Sequence, residues 1–343
     1  MNETKTDCAL KLSGLTKVYP AGKKNIITAV DNLNLNIPHG SVYGFLGRNG
    51  AGKTTTLKMV AGLSKPTDGE IFIYGRKVEF GKPASYKNIG FLPDVPEFYS
   101  FMSAREYLFL CGRLYKMTDI EIKNKIREIF ELINFDKKRL KNKISAFSRG
   151  MKQKLGIAAA LIHSPDLIML DEPTSALDPI GRKETIDIIN SLRGRYTVVF
   201  STHILSDVER VCDKIALIEK GGLILDGNIS DIKAENSGLN ETLKVSISEN
   251  TPGDCERFLE SAKKLNYLNY IDLVKDKEND NIAHFSFKAS DRKKAGESLP
   301  KIIYESGGSL VKFAFEEINL EDIFVSATAS GLNNNINKQK GGV

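Results

Sequence analysis

The run Gly47-Arg48-Asn49-Gly50-Ala51-Gly52-Lys53-Thr54-Thr55 sets glycines, a lysine and two hydroxyls in an order suited to holding phosphate. It matches G-x-x-x-x-G-K-[ST] at every fixed position. Glycines let the backbone wrap a phosphate, so that successive N–H groups converge on it at the positive end of a helix. Lys53 is then placed to reach the outer phosphates of a nucleoside triphosphate, and the Thr54 hydroxyl to ligate Mg²⁺. A second chemical group follows far downstream, where the apolar run Leu167-Ile168-Met169-Leu170 ends in Asp171-Glu172. Asp171 suits the Mg²⁺ that Thr54 touches, directly or through water. Glu172, one residue on, can polarise a water for in-line attack on the γ-phosphate.

Three further positions carry two readings each. His203, after the apolar run Val198-Val199-Phe200, either packs against its neighbours or reaches the γ-phosphate. Ser148, ahead of Arg149-Gly150-Met151 and an apolar helix at Leu155–Ile162, caps that helix. With Gly150 it either does that alone or builds a second anion site at a helix start. Tyr19 either stacks on an adenine base or fills a half-buried edge-strand position.

The elements that must hold these residues are legible from apolar spacing. Val42–Leu46 reads as a short buried strand entering the glycine loop, and Lys53–Val60 as the helix leaving it. Leu167–Leu170 reads as a fully buried parallel strand, whose carboxyl end is where ligands gather in open α/β sheets. Ahead of the loop, Leu10–Tyr19, Ile26–Val30 and Leu33–Ile37 alternate as separate strands of an antiparallel layer. Ile71–Tyr74 and Ile89–Leu92 read as further strands. Ser103–Ile133 turns to three- and four-residue spacing, a helical insertion in the α/β core.

The bulk numbers fit this scheme. The 343 residues suit two domains, and 41% hydrophobic with 27% charged residues is the composition of a globular chain with a full core. The net charge of +6 is spread over mixed Lys/Glu segments, which reads as solvated faces. Aromatics are not interleaved with the basic residues, so no nucleic-acid partner is expected. The start, Met1–Asp7, is polar and unlike a signal peptide, and no apolar run approaches the roughly 20 residues of a membrane span. The four cysteines lack zinc-like or C-x-x-C spacing and read as free thiols in a reducing compartment.

Taken in order, these motifs resemble the ATP-binding subunit of ABC transporters over about Leu10–Ile232. Ser148-Arg149-Gly150-Met151 falls at the family's signature motif, and Ser175-Ala176-Leu177-Asp178 at its D-loop. His203 falls at the switch histidine, and Tyr19 at the adenine-stacking aromatic. The resemblance implies a P-loop ATPase core with an antiparallel β layer and a helical subdomain. It also implies two such domains meeting head to tail, with ATP and Mg²⁺ between one P-loop and the other's Ser148 and Gly150. The second subunit is a further copy or a paralogue, and a separate transmembrane permease is driven as the pair closes and opens. That sets the chain in the cytoplasm, peripheral at the inner face of the cell membrane.

Two departures stand out. Arg149 puts a bulky cation where the family usually has glycine. Asp94 stands where the family usually has the glutamine that senses Mg²⁺; it can still accept from water or ligate a metal. Both look like the branch that serves exporters of drugs, antibiotics or polysaccharides through a separate permease. An alternative, a non-transport ATPase of this family acting on nucleic acid or ribosomes, fits less well. Such members carry two ATPase halves, long coiled coils or zinc modules, which this chain lacks. A GTPase lacks its N-K-x-D reader here.

Residues 8–235 are thus expected to form the nucleotide-binding domain. Beyond it, strand and helix patterns alternate as βαββαβ, which suggests a small ferredoxin-like accessory domain over 240–328 with a dimerisation or regulatory role. The Asn-, Gly- and Lys-rich stretch 329–343 reads as a disordered tail.

Overall fold

The computed structural model describes residues 8–21, 25–237, 242–275, 281–316, 320–321 and 323–325. They form two compact units, divided between Ile229 and Ser230.

The first layer of unit one comes from alternating strands. β1 (Cys8–Ala21) and β2 (Asn25–Pro38) pair antiparallel, burying Leu10, Leu12, Leu15, Leu33, Leu35 and Ile37 on one side. The two strands expected over Ile26–Val30 and Leu33–Ile37 are one. The chain absorbs the irregularity as bulges rather than a break: the register shifts between Leu12 and Val18, where Gly14 and Asn32 take φ of 61° and 46°. β3 (Val42–Leu46) is buried at every residue, as a strand covered on both faces must be. It leads through the glycine loop into α1 (Lys53–Val60). β4 (Asp68–Ile73) and β5 (Arg76–Lys77) complete a four-stranded sheet of order β2-β1-β4-β5.

β6 (Ile89–Leu92) then leads to the helical part. The long helical pattern divides into α2 (Ala104–Leu114) and α3 (Asp119–Leu132), broken at Lys116 with φ of 62°. Each starts with a capping box, Ser103 with Glu106 and Thr118 with Glu121, so both breaks are written in side chains. α4 (Arg149–Leu161) follows, then β7 (Leu167–Leu170), α5 (Pro179–Leu192), β8 (Thr197–Thr202) and α6 (Leu205–Val211). β9 (Lys214–Glu219) and β10 (Gly222–Asn228) form the far side of the main sheet. Its order is β10-β9-β3-β8-β7-β6, parallel except for the β9–β10 hairpin.

α7 (Ile229–Ser237) opens the second unit. There β11 (Thr242–Ser248), α8 (Asp254–Ala262), β12 (Leu268–Lys275), β13 (Ile282–Ala289), α9 (Arg292–Glu305) and β14 (Ser309–Glu316) follow the expected βαββαβ order. The sheet is antiparallel, in the order β12-β13-β11-β14. Phe258 of α8 packs edge-on against Phe285 of β13, and Leu299 and Ile303 of α9 join the same core. The stretch 329–343 lies outside the described residues; Leu320 and Ile323, near the last described residues, are buried.

Candidate active site

β3, β7 and β8 are parallel neighbours with aligned carboxyl ends: Leu46 lies opposite Thr202, and Leu170 opposite Phe200. The chain leaving them carries Gly47, Asp171 and His203 in turn, so three segments distant in sequence converge on one edge of the sheet.

The glycine loop is shaped by close approach. Gly52 holds φ of 106°, and a Cβ there would meet the Ala29 carbonyl oxygen at 2.4 Å; one on Gly47 would meet the Ile218 carbonyl oxygen at 2.4 Å. No other residue fits either position without moving backbone. Gly50, at φ of 82°, has open space around it. Lys53 is 4% exposed and folds back over the loop, donating to the carbonyls of Gly47 at 2.6 Å and Arg48 at 3.3 Å. Its ammonium also pairs with Glu172 Oε1 at 3.2 Å. A buried cation held by carbonyls and one carboxylate can exchange those partners for phosphate oxygens.

Asp171 is buried beside Thr54. Its Oδ1 accepts from the Thr54 hydroxyl at 3.0 Å and the Ser201 hydroxyl at 2.6 Å, while Oδ2 has no hydrogen-bond partner among the described residues. Burial pushes its carboxyl above the usual carboxylate range; the two hydroxyls pull it back, and the charges of Asp94 and Glu172 push it further up. An orphaned buried carboxylate oxygen next to a threonine hydroxyl fits a hard cation with oxygen ligands, which Mg²⁺ is. Among the described residues no cluster of three acidic, histidine or cysteine side chains could hold a metal unaided. The remaining ligands would be phosphate oxygens and waters, as is usual for Mg²⁺.

Glu172 sits at φ of 45°, a left-handed conformation that a non-glycine residue adopts only under constraint. The constraint is visible. Its N–H donates to Ser201 Oγ at 2.9 Å, Oε1 meets Lys53, and Oε2 lies 2.9 Å from His203 Nδ1. The His203 side chain is 43% exposed, with Nδ1 engaged by Glu172. Asn49 to Thr55, Asp94, Glu172 and His203 line one cleft of about 420 Å³.

Ser201 is the residue the sequence reading passed over. It is fully buried, and one hydroxyl ties Asp171 to the backbone of Glu172. Its signal was the triplet Ser201-Thr202-His203, where a serine at a strand end carries no mark of its own.

Tyr19, Ser148 and Gly150 lie outside this cleft's lining. β1 is an interior strand, not an edge, but its pairing with β4 stops at Thr16, so Tyr19 has β2 alone beside it. The ring is 38% exposed, with the Lys17 ammonium 4.9 Å from its centroid. Ser148 caps α4, accepting from the Met151 N–H at 3.3 Å, and the first turn holds no acidic residue. A Cβ on Gly150 would meet nothing within 4 Å among the described residues outside its own helix.

A phosphate loop facing an acidic strand end and a histidine, on a parallel sheet beside an antiparallel layer and a helical part, defines a P-loop ATPase of the cassette type. Residues 30–175 match the family model described as ABC transporter. The chain is 36% identical to the bacitracin transport ATP-binding protein BcrA of Bacillus licheniformis, over 94% of this chain and 98% of that protein. It is 30% identical to the linearmycin resistance ATP-binding protein LnrL of Bacillus subtilis (strain 168), over 94% and 99% of the two. Among solved structures, the dimeric bacterial ABC transporter cassette MJ0796 superposes with a TM-score of 0.59 at 28% identity, covering 64% of this chain and 98% of that one. The same cassette as a post-hydrolysis dimer with ADP and Pi gives 0.56 at 28% identity, over 64% and 98%. The chain belongs to the ATP-binding proteins of ABC transporters. It binds ATP and is an ATPase. These relatives support transport and give no support to a role on nucleic acid or ribosomes.

Proposed function

We propose that this chain powers export of a substrate through a separate membrane-spanning permease, working as a pair of copies closed around two ATP. The observation that carries the reading is Glu172, held between Lys53 and His203 at the mouth of the phosphate cleft. Glu172 accepts the proton of the attacking water, and His203 holds the Glu172 carboxylate and reaches the γ-phosphate. Lys53 and the N–H groups of Gly47 to Thr55 hold the phosphates. Thr54 and Asp171 hold Mg²⁺, with Asp94 acting through water. A metal held by these residues would supply positive charge against the phosphates. Tyr19 offers its exposed ring to the adenine.

In this reading a second copy supplies a donor to the far side of the nucleotide. The capped start of α4, with Ser148, Gly150 and open space over the glycine, supports a second copy as its source. Residues 8–235 are the catalytic domain in this scheme and 240–328 an accessory domain for dimerisation or regulation. The transport role assigns the membrane path to the permease and this chain to the cytoplasm at the inner face of the membrane; among the described residues no helix is long and apolar enough to cross a membrane. The names of the relatives, bacitracin transport and linearmycin resistance, support an antibiotic-like cargo.

Tagged chain purified in mild detergent from its own cells should carry a multispan protein in fixed proportion. Reconstitution of the two in vesicles should give ATP hydrolysis that rises with cargo. Recovery of the chain alone, with hydrolysis indifferent to any membrane protein, would contradict the export reading.

A further inference from the structure

Behind the cleft, three side chains form a polar line that the chemistry above does not use. The Thr174 hydroxyl donates to Asp207 Oδ2 at 2.7 Å, and Arg182 Nε donates to Asp207 Oδ1 at 2.8 Å. The Arg182 guanidinium also donates to Ser206 Oγ at 2.8 Å. Thr174 and Asp207 are 2% and 3% exposed, while Arg182 opens onto a separate cleft of about 430 Å³. A buried carboxylate with both oxygens engaged is costly to keep, and apolar residues of the same volume often serve stability as well. What it adds is a fixed position.

The position matters because of what lies at either end. Thr174 comes two residues after Glu172, in a loop that leaves the β-ladder at Leu170 and passes through left-handed backbone at Glu172 and Ala176. Asp207 stands in the first turn of α6, four residues after His203, and among the described residues no side chain caps that helix. Arg182 ties both to α5, whose own start is pinned by Asp178 and Pro179. The Glu172–His203 contact of 2.9 Å therefore spans two loops that are locked together from behind.

We infer that Thr174, Asp207 and Arg182 are positioning residues that set the Glu172–His203 geometry for hydrolysis without touching nucleotide. The inference rests on the proposed roles of Glu172 and His203. A misplacement of about 1 Å in reacting groups costs up to roughly a hundredfold in rate.

The test is steady-state hydrolysis of Mg-ATP by the full-length chain. Thr174→Val keeps the shape and loses the hydroxyl; its kcat should fall about ten- to a hundredfold, with KM within about threefold of the unaltered chain. Thr174→Ser, which restores the donor, should recover most of that rate. Asp207→Asn should fall similarly, and the Thr174→Val/Asp207→Asn pair no further than the slower single variant, because both act through one carboxylate. A merely structural contact would lower the thermal midpoint and leave kcat intact well below it. An unchanged kcat in Thr174→Val, or a Thr174→Ser as slow as the valine variant, would overturn the inference. Glu172→Gln run alongside separates the two failures. If it stops hydrolysis while Thr174→Val does not, the lock alone fails; if it hydrolyses normally, the premise fails and the inference with it.

Discussion

Glu172→Gln is expected to bind ATP as the unaltered chain does and to hydrolyse it about a thousandfold more slowly, within the usual range for loss of a general base. Glutamine keeps the length of the side chain and an oxygen for Lys53 or His203, so the strained turn at φ of 45° and its N–H bond to Ser201 stay in place. What disappears is the capacity to take a proton from water. Single-turnover phosphate release measures the loss, and equilibrium titration shows whether affinity is kept. Hydrolysis at the ordinary rate would remove Glu172 from the role of base.

Lys53→Ala should weaken nucleotide binding on the order of a hundredfold, equivalent to about 3 kcal/mol. Two effects add. The phosphates lose a buried ammonium already placed within 3.3 Å of the Gly47 and Arg48 carbonyls. Glu172 also loses its cation, and its charge then faces the anionic ligand. Lys53→Arg should not restore binding, because a planar guanidinium cannot occupy the compact position that the loop carbonyls surround. Titration with a fluorescent ATP analogue reads both variants. Ordinary affinity in Lys53→Ala would refute the assignment of the phosphate site.

These two residues could be picked out of the bare sequence because the backbone around them leaves so few choices. Gly47 and Gly52 are demanded by carbonyls 2.4 Å from where a Cβ would be, and a strand buried on both faces must read as an apolar run before Asp171. Such constraints print themselves as residue types at fixed spacing. Ser201 could not be found this way. Its importance comes from the register of β7 against β8, which sets one hydroxyl between Asp171 and Glu172. The Thr174–Asp207–Arg182 line was hidden for the same reason, since three unremarkable residues from three segments meet only in space.

Misreadings of the fold had equally local causes. β2 looked like two strands because a bulged strand breaks its own alternation, and β2 carries extra residues between Thr28 and Leu33, opposite Leu15 to Val18 of β1. The division of the helical part at Lys116 was written in the Thr118–Glu121 capping box, a short polar signal easily lost beside the apolar repeat. In the second unit the alternating strands and two helices read through in the right order, because each buries one apolar face in a single core.

We propose that one copy holds half of a site and a second copy closes it. Sedimentation velocity of Glu172→Gln, with and without Mg-ATP, reads this out. The expected result is monomer without nucleotide and dimer with it, and monomer again with ATP bound when Ser148→Arg is added to block the start of α4. Glu172→Gln that remains monomeric with ATP fully bound, or a dimer indifferent to Ser148→Arg, would contradict it.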